Sequence, residues 1–387
     1  MKANPGGQLT PGEVIGRDGL IRKLWRVLET RSLVLSAERR MGKTSVIKKM
    51  TAEASPSKLP IYRDLEGIRT PIEFVETLYR DVETYLGKIQ RVANRVRTFL
   101  AHLGGAEVGN ILKFPPISAP HWKTLLTNTV EDLVEHQDRD VILFWDEMPL
   151  MLFNIRQSAG ETVAMELLDV LRSLRQTHLR LRMVFTGSVG LHNVISALKR
   201  AGYANDPTND MDLVDVPPLE MKDATRLAEL LLQGENLTAL PEVAKMIAEA
   251  VDGVPYFIHH VVDQLAQTEG MIDATTVLQV VSASLTDPHD RWHMRYYSDR
   301  LKTYYSPEEQ KLAFLTLDVL AFESKALPFN EVFNLVKSRL VTEDAEACRQ
   351  LLELLQQDHY LVRDEQGRYL FRFQLIKRWW KQSRGTA

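Results

Sequence analysis

Ser32-Leu-Val-Leu-Ser36, Ala37-Glu-Arg-Arg-Met-Gly-Lys-Thr44 and Ser45-Val-Ile-Lys-Lys-Met50 follow one another without a break, and their reading decides the fold. The first run is short and apolar, the pattern of a buried parallel strand. The last opens an amphipathic helix. A strand that turns through a tight loop into a helix carrying Gly-Lys-Thr forms a phosphate cradle. Backbone N–H groups and the helix N-terminus face the anion, Lys43 reaches the β- and γ-phosphates, and the Thr44 hydroxyl is placed as a magnesium ligand. The usual loop opens on glycine. Here that position is Ala37, which fits if its backbone keeps a negative φ.

A phosphate loop needs an acid at a second strand, and Val141-Ile-Leu-Phe-Trp-Asp-Glu147 supplies one. Five apolar residues end in Asp146 and Glu147, at the carboxyl end of the strand where doubly wound sheets bind their ligands. Asp146 is the candidate magnesium-holding acid. Glu147 is placed to orient and deprotonate an attacking water. A buried strand can also end in a solvated acid pair. Downstream of a strand-flanked phosphate loop, the functional reading takes precedence.

Composition bounds the rest. The chain has 387 residues, 44% hydrophobic and 26% charged, which describes a soluble globular protein of two or three domains. Its formal net charge of -3 advertises neither nucleic acid nor membrane, so any such partner would use a local patch. The single cysteine, Cys348, cannot form an internal disulfide and reads as a buried structural thiol in a reducing cytosol. No stretch approaches the ~18 apolar residues a membrane span requires, and the N-terminus lacks an apolar signal region. A cytoplasmic location is expected. No His/Cys cluster has metal spacing, so the magnesium carried by ATP is the expected metal.

The chain order predicts residues 1–13 as a flexible terminus, 14–220 as an α/β core, 221–290 as a helical lid, and 291–387 as a connector with a terminal domain. Strands are expected at Ser32–Ser36, Leu59–Leu65, Val141–Trp145, Leu181–Thr186 and Met211–Val216. Helices between them cover about 18–30, 71–85, 87–103, 121–135 and 159–177, with a short hairpin at 106–114. Alternation of this kind favours a parallel sheet. After Pro217-Pro218 the strand signals stop. Helices are expected at about 221–232, 241–251, 256–267 and 272–284, with Asp252-Gly-Val-Pro255 as a turn. Helices near 308–322, 329–339 and 342–357 precede two β-like runs around the turn Asp364-Glu-Gln-Gly367, the pattern of a winged helix.

With these parts in order, the chain resembles the STAND-type P-loop ATPases, in the compact archaeal/bacterial branch related to AAA+ proteins. The resemblance runs from about Val14 to Lys381. Val14-Ile-Gly-Arg-Asp18 is similar to the motif that opens these proteins near the adenine. Ser36–Thr44 resembles their phosphate loop, and Phe144–Glu147 their Walker B. Phe185-Thr-Gly-Ser188 is similar to the strand carrying the γ-phosphate sensor. Gly253-Val-Pro255 resembles the Gly-x-Pro motif that contacts nucleotide, and Tyr369–Trp380 the end of the winged helix. The resemblance implies catalytic roles for Lys43, Asp146, Glu147 and Ser188. It implies ATP contacts from Arg17, Arg39, Arg40, Met41, Gly42, Lys43, Thr44, Ser45 and Pro255, with Mg2+ held by Thr44 and Asp146.

Secondary candidates carry alternatives. Arg39 and Arg40 read either as γ-phosphate or neighbouring-subunit contacts or as a solvated pair. Thr186 could take the sensor role in place of Ser188. His259 and His260, one helix turn past Pro255, read either as nucleotide neighbours or as packed interior groups. The tail holds Arg368, Arg372, Lys377, Arg378, Lys381 and Arg384 with no acid after Glu365, around Trp379 and Trp380. That combination suits DNA, whereas adjacent tryptophans on a helix usually pack a domain. The expected function is an ATP-binding and slowly ATP-hydrolysing switch whose winged helix regulates it or meets a protein partner, by self-association or otherwise. The alternatives are an ATP-dependent DNA-binding adaptor of initiator type, and a defence sensor acting through a separate effector.

Overall fold

Phe144 and Trp145 are adjacent on one strand, so they point to opposite faces of any sheet that strand joins. In the computed structural model of the chain, each finds a helix. Trp25, on α1 (Asp18–Leu28), meets Phe144 edge-on at 6.2 Å, and Phe74, on α3 (Pro71–Leu86), meets Trp145 at 5.1 Å. Helices therefore cover both faces of the strand, which explains its unbroken apolar run. The structure describes residues 1–86, 106–108, 111–113, 121–187, 191, 194–195, 198, 202–203, 205–340 and 344–385.

Among the described residues, five parallel strands form the sheet: β1 (Ser32–Ser36), β2 (Lys58–Asp64), β5 (Asp140–Asp146), β6 (Leu181–Thr186) and β7 (Met211–Asp215). Their order is β2-β5-β6-β1-β7. Val141 to Trp145 on β5 are each at most 1% exposed, and each such side chain contributes roughly 1.5–3 kcal/mol. Leu213, on the edge strand β7, is 72% exposed. The short hairpin is present as β3 (Ala106–Val108) paired antiparallel with β4 (Ile111–Lys113). The helix expected at 87–103 lies outside the described residues, and the one expected before β5 is α4 (Trp122–Glu135).

Two helices depart from expectation. After β5 the chain forms α5 (Met148–Ala159) before α6 (Glu161–Thr177), where the sequence suggested one helix from about 159. Gly160, at φ 93°, breaks the two apart. The aromatic and basic stretch read as a connector contains α11 (Tyr296–Tyr304).

The chain divides into two compact units. One holds Asp18–Ser36 and Lys43–Val216 and carries the sheet; the other holds Met1–Arg17, Ala37–Gly42 and Pro217–Ala387. The second unit contains α7 (Met221–Gly234), α8 (Val243–Ala250), α9 (Pro255–Leu265) and α10 (Ala274–Leu285), then α11. It continues with α12 (Pro307–Phe322), α13 (Phe329–Arg339) and α14 (Ala345–Gln357). Strands β8 (Leu361–Arg363) and β9 (Tyr369–Phe371) follow as an antiparallel hairpin, with α15 (Gln374–Arg384) last. Three helices and a hairpin make this end winged-helix-like. Trp379 and Trp380 are buried in it: Trp380 meets Phe314 at 5.7 Å and donates from Nε1 to Asp318 at 2.8 Å. Cys348 is buried as expected, and burial pushes its thiol up to about 11.

Candidate nucleotide site

In the sheet unit, the residue after Lys43 meets the end of β5. Thr44 lies in the first turn of α2 (Lys43–Ala52), and its hydroxyl donates to Asp146 Oδ2 at 2.6 Å. The other carboxylate oxygen of Asp146 accepts the Glu147 N–H at 3.1 Å. Asp146 is only 3% exposed, and this burial raises its pKa above the ordinary carboxylate value. Asp64, beside it on β2, adds to the rise, while Thr44, the Glu147 amide and Lys43 oppose it. Tyr62, on the same neighbouring strand, brings its hydroxyl to 3.5 Å from Asp146. One hydroxyl and one carboxylate at a helix N-terminus are hard oxygen donors, the set that suits magnesium. Lys43 is buried beside them, and Ser45 is half-buried.

Glu147 has φ 56°, left-handed for a residue with a Cβ. Such a conformation costs on the order of 1–3 kcal/mol and persists where the surroundings enforce it. Gly187, just beyond β6, packs against the same turn: a Cβ there would lie 2.6 Å from Pro149 Cδ, so glycine allows the close approach of the strand end to α5, with Glu147 Oε2 next at 3.3 Å. Thr186 is 1% exposed, and its hydroxyl has no hydrogen-bond partner among the described residues. Ser188 lies outside the described residues.

The rest of the loop, Ala37–Gly42, belongs with the second unit. Ala37 stays out of the left-handed region, which Arg40 (φ 78°) and Gly42 (φ 85°) occupy instead. A Cβ on Gly42 would touch nothing, so its glycine serves the backbone angle alone. Arg17 is 4% exposed and donates to the carbonyls of Met41 and Pro217, both at 2.8 Å. Burial lowers its pKa to about 10. The loop arginines are not a solvated pair: Arg39 lies 4.5 Å over the Tyr296 ring and Arg40 4.0 Å over that of Tyr256. Glu38 is buried and paired with Arg300 at 3.2 Å, a pairing of positions 262 apart that no local pattern announces. Tyr62 likewise had no signal beyond its place near the end of β2.

The Gly-Val-Pro turn is anchored within the same unit. Gly253 (φ 68°) accepts from the Leu219 N–H at 3.0 Å, and a Cβ would stand 2.7 Å from the Leu219 carbonyl oxygen. Pro255 occupies the first turn of α9, where its missing N–H costs nothing. Asp252 accepts the Leu375 N–H at 2.7 Å and so caps α15.

His259 and His260 are packed groups. His259 is 3% exposed and accepts the Asn4 N–H on Nδ1 at 3.1 Å; His260 meets the Tyr256 ring at 4.5 Å. Burial pushes both imidazoles down to about 4. A folded pKa below the unfolded value stabilises above the unfolded pKa of ~6.5, and that stability is lost as pH falls towards 4. Urea unfolding at pH 4.5 is expected to show about 2 kcal/mol less stability per imidazole than at pH 7. The double variant His259→Gln/His260→Gln should flatten this slope. An unchanged slope would assign it to other groups.

The basic tail is engaged inside its own unit. Arg368 pairs with Asp364 at 2.7 Å, Arg384 with Asp318 at 3.0 Å, and Arg372 meets His359 at 2.6 Å. Lys377 donates to the Glu323 carbonyl, Arg378 to that of Ala250, and Lys381 lies 5.1 Å over the Phe322 ring. No group of three or more His, Cys, Asp or Glu suited to a metal occurs among the described residues, and none of their helices is long and apolar enough to cross a membrane.

No family model matches the chain, and no curated protein does. Solved structures do. The Walker-type ATPase PABY2304 of Pyrococcus abyssi is 17% identical, with a TM-score of 0.64 over 98% of this chain and 100% of that one. The ORC2 protein of Aeropyrum pernix, in its ADPNP–ADP complexes, is 12% identical, with a TM-score of 0.56 over 98% and 97%. At these identities the likeness concerns architecture alone: the chain shares with these proteins a P-loop NTPase fold, a parallel sheet flanked by helices and followed by a helical C-terminal region.

Proposed function

We propose that the chain binds ATP with magnesium and hydrolyses it. The observation that carries this reading is the 2.6 Å hydrogen bond between the Thr44 hydroxyl and Asp146, which joins the phosphate-loop helix to the acid at the end of β5. In this reading Lys43 takes the β- and γ-phosphates, and Thr44 and Asp146 hold Mg2+, which neutralises phosphate charge when bound. Glu147 accepts the proton of the attacking water, with Ser188 or Thr186 at the γ-phosphate. Arg39, Arg40, Met41, Gly42 and Ser45 form the cradle, and Arg17 and Pro255 serve the nucleoside end, Arg17 by holding the Met41 carbonyl. The γ-phosphate acts as a switch only to the extent that it favours one arrangement of the protein over another. The STAND branch and a cytoplasmic location are parts of the same reading.

Two uses of the nucleotide remain distinct: a switch that regulates a protein partner or self-association, and an adaptor that assembles on DNA. The whole-length likeness to the ORC2 protein and the winged-helix-like end favour the adaptor. The surface that suits a phosphate backbone in this reading is a cavity of about 570 Å³ lined by Arg295, Lys302 and Lys311 together with Trp379, Trp380 and Arg384 of the tail helix. A gel shift with duplex DNA, with and without ATP and at two salt concentrations, tests this. Arg295→Glu/Lys302→Glu/Lys311→Glu is expected to weaken binding and to flatten the salt dependence by roughly 0.9 in slope for each phosphate no longer neutralised. Absence of any ATP-dependent shift in the wild type would return the preference to the switch.

A further inference from the structure

Glu38 and Arg39 are consecutive in the phosphate loop, and within the same unit two residues one helical turn apart on α11 answer them. Tyr296 lies under Arg39, and Arg300 pairs with Glu38. The ion pair is closed to water, with side chains 2% and 1% exposed. The Glu38 carboxylate also accepts the Arg39 N–H at 2.7 Å, so the pair fixes loop backbone as well as side chain. Arg300 does more than hold Glu38. Its Nε donates to the Tyr360 hydroxyl at 3.1 Å, another nitrogen donates to the Asp358 carbonyl, and its guanidinium lies 4.3 Å over the Tyr360 ring. Tyr360 in turn donates to the Tyr297 carbonyl, and Asp358 accepts from the Tyr305 hydroxyl. Asp358 and Tyr360 immediately precede β8 of the winged-helix-like end. One guanidinium therefore bonds the phosphate loop on one side and the base of the hairpin on the other.

A buried carboxylate deprived of the guanidinium that faces it is driven to take up a proton or to leave its site. Either change moves the backbone amides that would face a phosphate. We propose that Arg300 is a positioning residue that sets the conformation of the phosphate loop through Glu38 and makes nucleotide affinity depend on the packing of Asp358 and Tyr360. The proposal rests on the nucleotide-binding reading. Coupling of this kind is reciprocal, so ATP should steady the hairpin base by the same factor by which the hairpin base strengthens ATP binding.

The test uses the full chain, with ATP affinity by calorimetry, thermal melting to confirm folding, and amide hydrogen exchange with and without ATP. Arg300→Met is expected to weaken ATP about 10-fold or more. Adding Glu38→Gln should recover part of that affinity, because the buried negative charge is then gone as well. A purely structural role would lower the melting temperature without this recovery. In the wild type, ATP should slow exchange at residues 358–363, and Arg300→Met should abolish the slowing. Should Arg300→Met fail to fold, Tyr360→Phe removes the hydroxyl that accepts from Arg300 and donates to the Tyr297 carbonyl, leaves the Glu38 pair in place, and should weaken ATP about 3-fold while uncoupling the exchange. Folded Arg300→Met or Tyr360→Phe protein with wild-type affinity and intact exchange coupling would overturn the proposal. A wild type that binds ATP in a Lys43-dependent way would then leave the nucleotide reading standing, and a wild type without ATP binding would overturn both.

Discussion

Lys43→Ala is expected to lose ATP binding by about 10²-fold or more. Each charge-assisted hydrogen bond to a phosphate oxygen is worth about 1.5–3 kcal/mol, and in the proposed site the lysine makes at least two. Removing it leaves the helix N-terminus and the loop amides, which attract an anion but do not neutralise the β- and γ-phosphates. Lys43 is buried at the first turn of α2, so melting of the nucleotide-free variant must accompany the titration to separate weaker affinity from a disturbed fold. Equal affinity in a folded variant and the wild type would remove the phosphate-loop assignment.

Glu147→Gln separates binding from turnover. The amide keeps the size of the side chain, and so the fit against Gly187, but it has no carboxylate to take a proton. Hydrolysis is expected to fall by about 10²-fold or more while ATP is still bound. A normal rate in this variant would place water activation elsewhere. Asp64 would then be the first candidate, since it pairs in register with Asp146, and Glu66, whose N–H it accepts at 3.0 Å, the second.

What the sequence disclosed, it disclosed through local pattern. The unbroken run Val141 to Trp145 could only be a strand covered on both faces, and the loop between Ser36 and Ser45 carried its chemistry in adjacent residues. Helix α5 escaped because Met148, Met151, Leu152 and Ile155 are all buried and little polar contrast marks its faces. Helix α11 escaped because its aromatic and basic residues have partners far away in the chain: Tyr296 with Arg39, Arg300 with Glu38 and Tyr360. The tail cations were visible as charge, but the acceptors of Lys377 and Arg378, the carbonyls of Glu323 and Ala250, have no signature in a sequence. Residue types thus carried the candidate chemistry of the proposed site. The interactions that hold its loop depend on long-range packing and needed the structure.

The most direct measurement of the central claim is an isothermal titration of the intact chain with ATP, once with magnesium and once with EDTA. One saturable site per chain is predicted, tighter with magnesium, and Thr44→Ala should erase most of the difference between the two conditions. Magnesium-dependent binding should also begin to weaken at a higher pH than an ordinary carboxylate would allow, since burial raises the Asp146 pKa. A chain that shows no saturable ATP binding under either condition would contradict the account.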